Sequence, residues 1–461
     1  MADRRDELFY NQKNLGDTLP AEERAAADAY CARYMAFLDR ARTERESVTE
    51  AVRLAEAAGF REFRPGMKTA PGEKLYRSVR GKALMLAVTG KKPMACGAHI
   101  EAAHVDSPRL DVKPVPLYED GELAYLKTHY YGGLRKYQWV ALPLEVHGVV
   151  VLRGGTEKTV SLGTDAGDPA FVITDLLPHL AGEQKKKPLS EAIPGESLNL
   201  VMGSLPAAGD GGKDRVKLAV LELLNKKYGM TEEDFLSAEL EVVPALPVRE
   251  IGLDRSLIGA YGHDDRVCAY AELEAILGTE APELAAVCIL ADKEEIGSEG
   301  VSGMQSAAFD TFMEDLCAAD GSELRRCYEN SLCISADVTV AFDPDFPEVC
   351  DKRNSARLNY GIGIAKFTGV GGKGGSNDAS AEVVGRIRRI FAQGGVVWQM
   401  SELGKVDAGG GGTVAKFMAK RDIDTIDAGV PVLSMHSPYE LVSKLDCYMT
   451  EKGMKAVYAE K

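Results

Sequence analysis

The chain has 461 residues, enough for about two or three domains of roughly 150 residues each. Hydrophobic residues make up 45% and charged residues 27%, a globular balance that excludes wholesale disorder and a collagen-like chain. Lys and Arg number 55 against 70 Asp and Glu, and the resulting net charge of −15 disfavours nucleic acid and anionic membranes as general partners.

No apolar run reaches the roughly 18 residues needed to cross a bilayer. The first residues are charged and no apolar stretch follows them, so no secretory signal is expected. The nine cysteines are scattered without a CxxC pair, and several lie in apolar runs, such as Cys288. Buried free thiols in a reducing compartment follow, which points to the cytoplasm.

Residues 1–60 read as helical. Tyr30, Tyr34, Phe37 and Leu38 recur on one helical face. Ser47 and Glu50 read as a capping box, with Gly59 as a stop. From about residue 83 short apolar runs appear, at 83–88, 287–290, 332–334, 396–398 and 430–435. Helical patterns lie between several of them, at 267–277 and 381–391. Strands alternating with helices indicate an α/β layer fold. Between 112 and 247 strand-like pieces dominate (138–151, 158–163, 238–243), so this block reads as a β-rich insertion. The stretch 182–213, rich in Lys, Pro, Gly and Ser, reads as a loop.

Seven histidines are present, and their contexts differ. His104-Val105-Asp106 is followed by Ser107-Pro108. The i, i+2 spacing on a strand would let His104 bind a metal while Asp106 holds the ring. His99 and Glu101 form a rival pair. His263-Asp264-Asp265-Arg266 precedes a helix, so either aspartate is a cap or a bridge between two ions, with Arg266 as a support. Asp292-Lys293-Glu294-Glu295 follows an apolar run. Two adjacent carboxylates there can divide the labour of metal ligand and proton acceptor. Asp337 and His436 each end an apolar strand, where a polar group is costly unless partnered. Together, two histidines and three carboxylates make a nitrogen-and-oxygen donor set for two ions that share one carboxylate. Such a set suits zinc, cobalt or manganese and the hydrolysis of amide bonds. The glycine runs 371–375 and 409–412 match no phosphate-loop pattern and read as tight loops beside a substrate.

These words resemble the aspartyl aminopeptidase family of cocatalytic dizinc metallopeptidases. The words are HVDSPRLDVKP at 104–114, GHDDRV at 262–267, DKEEIGS at 292–298, SADV at 335–338 and MHSPYE at 435–440. YQWVALPLEVHGVVV at 137–151 and GKVDAGGGGT at 404–413 resemble its bacterial branch.

The resemblance implies a three-layer α/β catalytic domain of the phosphorylase/hydrolase type, a mixed sheet with helices on both faces. That domain is split over 1–111 and 248–461, with 112–247 as an inserted β-rich dimerisation domain. It implies that Asp264 bridges two divalent ions per subunit, zinc with cobalt or manganese as the alternatives. His104 and Asp337 complete one ion, and Glu295 and His436 the other. Glu294 is implied as the general base and Asp106 as the residue that orients His104. The implied substrates are short peptides, and the implied assembly is a homo-oligomer, a dodecamer built from dimers. An acidic N-terminal substrate residue read by Lys366 is also implied, although residues 371–376 depart from the eukaryotic pattern and leave room for neutral or apolar residues. A carboxypeptidase, dipeptidase or deacylase would use the same metals and remains the alternative.

Overall fold

The computed structural model describes residues 4–165, 167–209 and 211–461. It divides into two compact units. The first comprises the chain up to Asp106, Val248–Met435 and Glu440–Lys461, and the second comprises Ser107–Pro247 with His436–Tyr439.

The first unit is built on a nine-stranded mixed sheet. Its order is Arg61–Glu62, Lys74–Val79, Ala83–Val88, Ala285–Ala291, Ala98–His104, Leu332–Ser335, Asp424–Gly429, Ile362–Ala365 and Trp398–Met400. The four strands from Ala285–Ala291 to Asp424–Gly429 run parallel to one another. Ala83–Val88, Ala98–His104 and Ala285–Ala291 are buried at every position, as expected for strands covered on both faces. Alternation along the strand assigns the faces. Leu84, Leu86 and Val88 join Tyr30, Tyr34 and Phe37 in one core, while Ala83, Met85 and Ala87 join Phe309, Phe312 and Leu316 in another. Helices Ala21–Arg40, His263–Leu277, Ala381–Gln393 and Lys444–Tyr458 contribute to the first core, and Ala308–Asp320 and Ala415–Ala419 to the second. The result is the three-layer α/β arrangement. A smaller five-stranded sheet (Arg249–Ile251, Leu257–Ala260, Glu440–Ser443, Pro431–Leu433, Thr339–Val340) completes this unit.

The second unit is a six-stranded antiparallel sheet ordered Glu157–Leu162, Leu144–Val151, Ala238–Pro244, Arg109–Asp120, Leu123–Tyr131 and Asn199–Gly203. Helix Arg215–Tyr228 packs on its last strands, burying Val216, Val220 and Leu224.

Several local expectations change. Helix Glu44–Ala57 begins before Ser47: Thr43 is its N-cap, and Thr43 Oγ1 accepts the Glu46 amide at 3.3 Å. Glu46 in turn accepts the Arg42 amide, and Glu50 pairs with Arg53 and Arg40 instead of capping. Residues 182–213 are not one loop. They carry the short helix Leu189–Ala192 and the edge strand Asn199–Gly203, which pairs with Leu123–Tyr131. The run at 396–398 becomes a strand only at Trp398–Met400. No helix among the described residues is long and apolar enough to cross a membrane. All nine cysteines are free, and seven are buried.

Candidate active site

Three neighbouring parallel strands end on the same edge of the large sheet, and each delivers part of a polar cluster there. His104 is the last residue of Ala98–His104, where it lies opposite Ala291. Beyond Ala291 the chain passes Asp292 into the turn Glu294–Ile296, which carries Glu294 and Glu295. On the other side Ser335 ends its strand, and Asp337 follows two residues later. The C-terminal edge of parallel strands is where open α/β sheets place their sites. Helix His263–Leu277 supplies the fourth part. Gly262 enters it with φ at 78°, and Asp264 and Asp265 keep non-helical backbone angles inside its first turn.

His104 is 2% exposed and held from both sides. Its Nδ1 lies 2.9 Å from the Asp106 carbonyl oxygen and 3.4 Å from the Asp106 carboxylate. Nδ1 is therefore the nitrogen that Asp106 holds, and Nε2, 3.2 Å from Asp264 Oδ1, is the one that faces the acidic cluster. The strand stops at His104, so Asp106 does not share the strand face that its spacing implied; it reaches back from the following turn. Asp106 also accepts the amides of Glu294 at 3.1 Å and Glu295 at 3.2 Å. One carboxylate thus fixes the imidazole and the turn bearing both glutamates.

Two donor groups emerge, each with its ligand atoms within 4.8 Å of one another: His104, Asp264 and Glu295, and His104, Asp265 and Asp337. Glu294 belongs to neither, yet its charge reaches Asp337. Burial, Asp265 and the neighbouring carboxylates raise Asp337 well above the usual carboxylate range, although His104 pulls the other way. Burial likewise raises Asp265, and Asp264 adds to it. Burial works against a charged His104, but the carboxylates of Asp106 and Asp264 outweigh it and raise its pKa. Asp265 Oδ1 is buried with no hydrogen-bond partner among the described residues. Crowded carboxylates, one imidazole nitrogen facing them and an orphaned oxygen fit a divalent cation of the zinc type.

The supporting contacts include Glu440, to which the motifs assigned no role, and Arg266, expected as a support. Glu440, 1% exposed, accepts the Asp264 amide at 3.0 Å. Arg266 Nε donates to the carbonyl of Val105, between His104 and Asp106, at 3.1 Å. His263 is not a donor: Tyr34 donates to its Nδ1 at 2.8 Å, its Nε2 faces the Ile258 carbonyl at 3.1 Å, and burial lowers its pKa to about 3. Glu440 stood in a motif word, but nothing in its spacing marked it as buried.

The remaining candidates belong to neither donor group. His99 sits at the opposite end of the His104 strand, with Nε2 3.0 Å from Glu460. His436 lies in the second unit, where its Nδ1 is 3.0 Å from the Gly133 carbonyl oxygen. Lys366 follows strand Ile362–Ala365, and its ammonium is 2.9 Å from Asp378, which Lys373 also engages at 3.1 Å.

Fold and site together define a class: an α/β metal-dependent hydrolase whose nitrogen and oxygen donors converge at strand ends. The family pattern of the aminopeptidase I zinc metalloproteases (M18) matches residues 37–458, and the chain belongs to that family. It is 45% identical over 458 residues to a probable M18 family aminopeptidase 1 of Clostridium acetobutylicum, covering 98% of each chain. The crystal structure of an M18 aminopeptidase from Thermotoga maritima superimposes with a TM-score of 0.94 at 42% identity, over 98% of this chain and all of that one. Aminopeptidase I of C. acetobutylicum superimposes with a TM-score of 0.92 at 43% identity, over the same shares. The chain is thus a metallo-aminopeptidase, a hydrolase of peptide bonds.

Proposed function

We propose that the protein is a cytoplasmic two-metal aminopeptidase that removes N-terminal residues from short peptides. The observation that supports this reading is the convergence of His104, Asp264, Asp265, Glu295 and Asp337 in two overlapping donor groups, set beside a turn that presents Glu294. His104, Asp264 and Asp337 would hold one ion, and Asp264, Glu295 and His436 the other, with Asp265 in reach as an alternative to Asp264. Two zinc-type ions, when bound, supply Lewis-acid polarisation of the scissile carbonyl and a water of lowered pKa.

The chain's own residues do the rest. Glu294 accepts a proton from the attacking water on its carboxylate and returns it to the departing amine nitrogen, so the proton count balances. Asp106 keeps Nδ1 of His104 protonated and Nε2 free. Through the amides of Glu294 and Glu295 it also holds the base and a ligand in one frame. Glu440 and Arg266 fix the backbone on either side of that frame.

An acidic preference would run through Lys366. Its ammonium already faces Asp378, so a substrate carboxylate must displace that partner. The preference is accordingly weak, and neutral N-terminal residues are accepted. The second unit acts as the dimerisation domain, and dimers assemble further. A structure of the S. cerevisiae mApe1 dodecamer, which shares the fold, supports that assembly as a model.

The test is a panel of aminoacyl-p-nitroanilides with zinc-, cobalt- and manganese-loaded protein, each with an N-acetylated control. Cleavage of the free-amine substrates alone is expected, with Leu at least equal to Asp and Glu. Equal cleavage of acetylated substrates would point to a deacylase or carboxypeptidase instead.

A further inference from the structure

Two glycine-rich loops are pinned to one strand of the large sheet. They pair with each other through Gly369 opposite Gly411 and Val370 opposite Gly410. The second loop leaves no room for a side chain at two of its positions. A Cβ on Gly409 would lie 1.7 Å from the Leu403 carbonyl oxygen, and one on Gly410 would lie 2.5 Å from that of Gly369. Beyond this ladder each loop is anchored on strand Asp424–Gly429. Asn377 Nδ2 donates to the Thr425 carbonyl, and Thr413 Oγ1 donates to Asp427 Oδ1 at 2.6 Å. That strand neighbours Leu332–Ser335, with Asp427 level with Ser335, two residues before Asp337. Two residues beyond Asp427, Gly429 packs so tightly on Asp337 that a Cβ would lie 1.9 Å from its carbonyl oxygen. The stem of the second loop is therefore fixed beside the strand that carries a metal-donor candidate.

Asp427 is 4% exposed. Burying a carboxylate is costly, and a neutral acceptor would satisfy one threonine hydroxyl. What the carboxylate adds is a shorter, stronger, charge-assisted bond. The loop so held presents Val406 78% exposed, and its partner loop presents Val370 65% exposed.

We propose that Asp427, acting through Thr413, is a positioning residue that sets the glycine loop 404–412 at the edge of the site, where the loop seats the first residue of the peptide. This rests on the aminopeptidase reading. Breaking the bond leaves the metal donors and Glu294 untouched, so the effect falls on substrate seating.

The experiment compares wild type, Thr413→Val and Thr413→Ser, measuring KM and kcat on Leu-p-nitroanilide, metal content, melting temperature and amide exchange of residues 404–412. Thr413→Val is expected to raise KM about tenfold, the worth of one lost hydrogen bond, with kcat within about twofold. Metal content stays unchanged, loop exchange accelerates, the melting temperature falls as the buried Asp427 loses its partner, and Thr413→Ser restores all of these values. Unchanged KM and exchange in Thr413→Val, loss of metal, or failure of Thr413→Ser to restore KM would each overturn the proposal. Should Thr413→Val not fold, Asp427→Asn, which keeps the shape and removes the charge, is held to the same KM and exchange outcomes. If wild type cleaves no free-amine substrate, the aminopeptidase reading fails by itself. Accelerated loop exchange in Thr413→Val then still tests the anchor.

Discussion

The two histidines at the ends of strand Ala98–His104 have opposite surroundings. His104 opens onto Asp264, Asp265, Glu295 and Asp337 and is steadied from behind by Asp106. His99, five residues or about 16 Å back along the strand, is clamped by Glu460 and lies 3.3 Å from Arg386. Both rings are buried, and both face a carboxylate. The difference is a cation: Arg386 already neutralises Glu460 at one end, whereas at the other the acidic groups outnumber the single imidazole. A histidine among satisfied charges is a structural link, and a histidine among crowded carboxylates is placed where a cation would relieve the crowding.

The largest effect that sharpens this contrast comes from Glu294, which stands at the donor end without belonging to either donor group. Glu294→Gln is expected to lower kcat about a thousandfold while leaving metal content unchanged, measured by p-nitroanilide turnover and elemental analysis. Retained turnover would remove Glu294 as the base.

Next comes the pair His104→Ala and His99→Ala. The first should abolish activity together with metal. The second should keep both and cost about 1–3 kcal/mol of stability, because Glu460 loses one of its partners. Equal loss of metal from the two variants would erase the distinction.

The smallest effect is a pH dependence confined to the His99 end. Burial works to raise Glu460, but the His99 ring and the Arg386 guanidinium outweigh it and hold its pKa down at about 2. A depressed carboxylate contributes stability that is complete above its unfolded pKa of about 4.5 and is lost as the pH falls through about 2. Urea midpoints at pH 6 and pH 3 should therefore fall more for wild type than for Glu460→Gln, with activity at pH 7 the same in both.

The ease with which each part could be read from the sequence follows from how local its cause is. Residues 83–88 became a strand at the expected bounds because an unbroken apolar run covered on both faces has one solution. Helix Arg215–Tyr228 was hidden inside a block read as β-rich, since its buried stripe of Val216, Val220 and Leu224 is narrow and leucines on its other faces, such as the exposed Leu218 and Leu223, blur the helical period. The Ser47 cap was misplaced because Thr43, four residues earlier, offers the same chemistry at the true helix start. At the site, His104, Asp264, Glu295 and Asp337 were each legible as a polar residue after an apolar strand or before a helix, and the structure brings these four into two overlapping groups. Arg266 was legible as a support but not its partner, and Glu440 and Asp427 were not legible at all, because each acts on a residue outside its own stretch: Arg266 on Val105, Glu440 on Asp264, Asp427 on Thr413. Which of Asp264 and Asp265 two ions would share also lies beyond spacing, since adjacent residues share it. Asp264→Asn and Asp265→Asn separate them, the bridging position losing both ions and the other at most one.

The measurement that tests the central claim most directly is a zinc titration of metal-free protein, followed by calorimetry and by activity at each point. Two ions per chain, with peptide hydrolysis rising as the second binds and no saturable binding in His104→Ala, is the predicted result. A single ion per chain with full activity, or unchanged two-ion binding in His104→Ala, would contradict it.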